Sequence, residues 1–217
     1  MHRLLKLEIK GIGPHRLVPL LVTIAADFIL GVFGIKGLIT NELILFVGDL
    51  MIAPFSAWCI LFVFQPVVEY ESGMLFRSLP VDLKRWGMIH VMAFYAMGCI
   101  LLLCNTVLMR WIVPYDLPWG WMLLRQILLS FFFDSLTFCA LIFSRRVNLS
   151  IVTVMAYIFA CIFLADEMPV FLNVFQSGER YPQIAGRTVA SLPVAVFGGW
   201  CLLAIAQQRF ERDIQSV

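Results

Sequence analysis

Hydrophobic and polar residues fall along this chain in long blocks. The one-in-two alternation of a half-buried strand is missing. Six apolar blocks recur, at 17–35, 43–65, 86–109, 119–143, 147–165 and 189–206. A hydrocarbon core of about 30 Å needs about 20 apolar residues in a helix, and each block is that long or nearly so. Backbone groups in lipid must be satisfied within the segment, and the alternating pattern of a barrel is missing, so the blocks predict six transmembrane helices. The fold expected is an all-α membrane domain covering residues 1–217.

Composition agrees. The 217 residues are 61% hydrophobic and 14% charged, where a soluble domain is about half apolar and a quarter charged. The formal net charge of +2 leaves no electrostatic footprint for nucleic acid. The start, MHRLLKLEIKGIG, has no short apolar core followed by small residues, so the first block reads as a retained span rather than a cleaved signal. Cys59, Cys99, Cys104, Cys139, Cys161 and Cys201 each lie inside an apolar block without CxxC or Cys/His spacing. They read as small hydrophobes, and no metal site is expected.

Basic residues orient the helices. With both termini cytoplasmic, eleven of the sixteen Lys and Arg fall on the inner side: Arg3, Lys6, Lys10, Arg16, Arg77, Lys84, Arg85, Arg145, Arg146, Arg209 and Arg212. The other five, Lys36, Arg110, Arg125, Arg180 and Arg187, fall at or near the outer side. That asymmetry sets the topology. Trp86, Trp111, Trp119 and Trp121 sit at predicted span ends, as interfacial anchors do. Residues 4–12 place Leu5, Ile9 and Ile12 at helical spacing, which predicts an interfacial helix before the first span. Residues 166–188 contain MPVFLNVF, too short to cross and suited to a broken helical element in the outer leaflet.

One stretch departs from the blocks. Residues 69–85 hold Glu69, Glu71, Arg77, Asp82, Lys84 and Arg85, with Gly73 inside and Leu79-Pro80-Val81 near the end. Pro80 ends a short helix, and Asp82 is placed to cap the next. Glu71, Gly73 and Leu79-Pro80-Val81 resemble the "E…G…L-P-V" signature in the first cytoplasmic loop of type-2 ABC transporter permeases. The order of elements is similar too: an interfacial helix, two spans, this loop, then four spans with a broken outer element between the last two. The resemblance implies that the segment is a coupling helix, with Glu69, Glu71, Gly73, Arg77, Leu79, Pro80 and Val81 docking a separate ABC-type ATPase subunit. The family places a basic residue directly after L-P-V; here Asp82 intervenes before Lys84 and Arg85.

No GxxxxGK[ST] occurs, so the chain has no nucleotide site of its own and no catalytic residue is assigned. The resemblance implies ATP and Mg in the partner subunit, no cofactor in this chain, and a second permease copy or homologue completing a pathway in membrane lipid. The function implied is a permease subunit coupling ATP hydrolysis to export. Its location would be a plasma membrane of the prokaryotic kind.

Charges within the spans carry the remaining candidate chemistry, since a carboxylate at bilayer depth costs at least a few kcal/mol. Asp27 lies eleven residues beyond Arg16, roughly 16 Å deep at ~1.5 Å per residue, and Asp134 lies at a similar depth before Arg145. Asp49 and Arg125 both fall a turn or two inside the outer boundary, which permits a salt bridge. His90 and Asn105 read as interhelical polar groups. Three roles stay open for the carboxylates: pairing between helices, lining a translocation path, or a proton relay or carboxylate-dyad enzyme. Two other functions also stay open, an intramembrane enzyme and a non-catalytic assembly or immunity subunit. Neither GxSG nor HExxH is present to favour the enzyme, and the Asp166-Glu167 pair has no His beside it.

Overall fold

A computed structural model describes residue 14 and residues 17–35, 41–68, 83–112, 119–164 and 181–215. Among these the chain is helical, with no strand. The helices are α1 (Val18–Ile35), α2 (Asn41–Val47), α3 (Ala53–Ser56), α4 (Trp58–Val68), α5 (Leu83–Ile112), α6 (Trp119–Ser144), α7 (Val147–Phe163) and α8 (Tyr181–Gln215). A π-helical turn, Gly48–Ile52, joins α2 to α3. Three stretches are long and apolar enough to cross a membrane: Gly48–Val68, Gly87–Trp111 and Trp119–Ser144. Val18–Gly34 and Val147–Phe163 are shorter apolar helices.

The block at 43–65, expected as one continuous helix, is interrupted. Pro54 has no N–H to donate to the carbonyl one turn back, and its ring crowds that carbonyl. The chain widens before it, so that the Ala53 N–H reaches Gly48 O. It then tightens after it, with Ala57 N donating to Pro54 O at 3.3 Å and Ile60 N to Ala57 O at 3.1 Å. Ser56 Oγ lies 2.7 Å from Ala53 O and so can satisfy a carbonyl near the break. The last helix is also longer than its block at 189–206, starting at Tyr181 and ending at Gln215. Residues 181–188, expected in the outer connection, are therefore helical. Hydropathy marks only the part of a helix that suits lipid, and the helix itself runs past it.

Helix α6 is the centre of the bundle. It contributes to all three apolar clusters: Phe131, Phe138, Leu141 and Ile142 with α4, α5 and α8; Met122 with α1, α2 and α5; Leu129, Phe132 and Phe133 with α3, α7 and α8. Phe131, Phe132 and Phe133 are all buried. Gly199 lets α8 approach closely, because a Cβ there would come within 2.9 Å of the Phe131 ring and 3.5 Å of Phe132 Cα. Small residues at a helix interface allow such an approach. The connection from α6 to α7 is only Arg145-Arg146. Arg145 takes a left-handed conformation (φ 54°), and its N–H caps Leu141 O at 2.9 Å.

Candidate functional site

Polar side chains on α6 point inward. Gln126, Ser130, Asp134 and Thr137 are spaced by four, four and three residues, which places them on one face of the helix. All four are buried, as is Arg125 beside them. That face meets the interrupted helix 41–68 along its length. A Cβ at Gly48 would collide with the Gln126 amide, so the π turn sits directly on that side chain. Arg125 Nη2 lies 2.6 Å from Asp49 Oδ2, with side-chain exposures of 3% and 5%. Further along, Ser56 Oγ lies 3.0 Å from Asp134 Oδ1. Contacts advance by the same eight residues on both helices, from Gly48–Gln126 to Ser56–Asp134, so the two run parallel.

The local irregularity serves this interface. The extra residue of a π turn rotates the side chains that follow it, and Asp49 sits within that turn, buried against Arg125. The pair offsets only part of what its burial costs, but removing one partner strands the other charge out of water and costs about 3–5 kcal/mol. Asp49 Oδ1 has no hydrogen-bond partner among the described residues, and the Asp134 carboxyl is in the same position. Its Oδ1 meets Ser56, whereas Oδ2 has no hydrogen-bond partner among the described residues. Ser130 Oγ, Thr137 Oγ1 and Trp58 Nε1 are likewise without partners there. Thr137 and Trp58 border a cavity of ≈30 Å³ that Val154 and Ile158 of α7 also line. One water molecule fits such a space.

Asp27 has a different environment. With the Asn105 amide oriented so that its nitrogen faces α1, Nδ2 donates to both carboxylate oxygens of Asp27 at 2.9 Å. Asp27 and Asp134, placed at similar depth by the sequence, thus answer to different partners on different helices. His90 is buried on α5. Among the described residues no three His, Cys, Asp or Glu side chains cluster as metal ligands. None of the six cysteines is in a disulfide; Cys59 and Cys161 are buried, and Cys104 and Cys201 are exposed.

The structure therefore brings Asp49 together with Arg125, Asp134 together with Ser56, and Asp27 together with Asn105. Reasoning from charge passed over Gly48, Ser56, Gln126, Ser130 and Thr137, which complete the same interface. Their signal was present as the four-four-three spacing around Asp134 and as Ser56 two residues after Pro54. The candidate docking residues Glu69, Glu71, Gly73, Arg77, Leu79, Pro80 and Val81 lie outside the described residues. So do the segment 4–12 and the MPVFLNVF piece. Comparison of the chain with family models, curated proteins and solved structures finds no match.

Proposed function

We propose that this chain is the membrane permease subunit of an ATP-driven exporter of the type-2 ABC kind. It would cross a prokaryotic plasma membrane six times, with both termini cytoplasmic. The observation that carries the reading is the Glu71, Gly73, Leu79-Pro80-Val81 pattern, set between two helices of membrane length. Helix α4 ends at Val68 and α5 begins at Leu83, and each belongs to a stretch able to cross a membrane. A connection between two such helices emerges at one membrane surface, where a soluble subunit can reach it. The three basic residues Arg77, Lys84 and Arg85 favour the cytoplasmic surface.

In this reading an ATPase dimer closes as it binds ATP and Mg. The segment 69–82 transmits that movement to α4 and α5. The break at Ala57 and the π turn then give the interrupted helix a place to bend against α6. Asp49–Arg125 and Ser56–Asp134 hold the packed state, and a second permease copy or homologue completes the pathway. Tagged full-length chain isolated from native membranes in mild detergent tests the assembly. It should retain a stoichiometric subunit with a nucleotide-binding P-loop and vanadate-sensitive ATPase activity. Glu71→Arg or Gly73→Pro should remove that activity while membrane insertion is unchanged. Full ATPase activity in both variants would refute the docking role.

A further inference from the structure

A second feature lies on the other side of Ser56. Between α1, the interrupted helix and α5 is a cavity of ≈260 Å³. Its floor includes Thr23, Cys59 and Phe94, all buried. Its rim includes Leu20 and Met97, which are 43% and 42% exposed. The cavity therefore opens sideways on the bundle surface, near the middle of α5. Gly98 helps to keep it open, because a Cβ there would meet nothing nearer than Ser56 Cβ at 3.6 Å. A cavity of about 150 Å³ already holds a benzene ring, whereas pockets for drug-sized ligands start at about 300 Å³. The space suits an alkyl chain better than a bulky ring system.

Its polar equipment is specific. The lining carries two hydroxyls, Thr23 and Ser56, and no charged side chain. The Thr23 proton is committed to Pro19 O at 2.8 Å. The Ser56 proton serves Ala53 O or Asp134 Oδ1. Each oxygen keeps a lone pair, so both hydroxyls of the lining can still accept a hydrogen bond. Behind Ser56 is a buried carboxyl with one oxygen unpartnered among the described residues. An anionic head group would meet acceptors and a carboxyl with no cation to balance it. A head group that donates a hydrogen bond is complemented directly.

We propose that this cavity binds a single-chain amphiphile with a hydrogen-bond-donating head group, a long-chain alcohol or alkylammonium. The tail lies between α1 and α5 with its end toward Leu20 and Met97. The head group donates to Ser56 Oγ, which in turn donates a hydrogen bond to Asp134 Oδ1. Binding is non-covalent and depends on the bundle alone, so it holds with or without an ATPase subunit at 69–82.

The test uses purified full-length chain in phosphatidylcholine nanodiscs and a dodecanol carrying a mid-chain diazirine. Photolabelled sites are mapped by mass spectrometry. Adducts should concentrate on Cys59, Phe94 and Met97. Excess dodecanol or dodecylamine should suppress them, and dodecane and dodecanoate should not. Suppression by one donor and not the other still supports the site and identifies its head group. Ser56→Ala should weaken dodecanol competition about five-fold, the factor for one hydrogen bond. Gly98→Leu should abolish the adducts by filling the space. The wild-type competition series needs no variant to fold. Adducts spread over the exposed positions Ile24, Phe28 and Ile100, or equal suppression by dodecane, would overturn the proposal.

Discussion

Helices α5 and α6 are nearly indistinguishable by hydropathy, yet 61% of the apolar window is buried in α6 and 22% in α5. The difference is in where the polar residues fall. In α6, Gln126, Ser130, Asp134 and Thr137 share one face and demand partners, so that face turns inward. In α5, Ile100, Leu103, Val107, Leu108 and Trp111 are exposed, as a surface against lipid or another subunit requires. In a lipid-spanning bundle, apolar surface gains little by leaving lipid, so small and polar residues decide which helix is central.

Substitutions that treat the two helices alike should break them unequally. The largest effect is expected at Arg125→Ala, which leaves Asp49 buried without its guanidinium. A loss of about 3–5 kcal/mol is expected in reversible unfolding in mixed micelles. The double variant Asp49→Asn with Arg125→Gln should recover much of that loss, since neither charge is then stranded. Next comes Gly199→Leu, where the added side chain meets the Phe131 ring. Overpacking there should cost about 1–3 kcal/mol by the same assay. A smaller effect is expected for Ser56→Ala, about 0.6 kcal/mol for one interhelical hydrogen bond. Smallest of all should be Leu103→Ala on the exposed face of α5, within about 0.5 kcal/mol. If Leu103→Ala cost as much as Gly199→Leu, the contrast between the helices would be wrong.

The sequence was informative where a residue is costly in lipid. Asp49 and Arg125 are each expensive alone, and their similar distance from one boundary was enough to allow the pair that the structure contains. It was silent where the effect is geometric. Pro54 lies inside an unbroken apolar run, so averaging hydropathy hides the π turn and the break at Ala57. Ser56, Ser130 and Thr137 barely change that average, yet each brings a hydroxyl into the interior. The start of α8 at Tyr181 was missed for the opposite reason. Residues 181–188 are too polar to look like a span, and hydropathy does not separate a polar helix from a loop.

The segment 69–82 remains the point on which the functional account depends. A single cysteine, Ser78→Cys, in a chain whose six native cysteines are replaced, addresses it in native membranes. Treated with a benzophenone maleimide and illuminated, it should cross-link to a subunit with a nucleotide-binding P-loop, with a yield that changes when ATP is added. Labelling of the same cysteine by a membrane-impermeant maleimide applied outside intact cells would contradict the account.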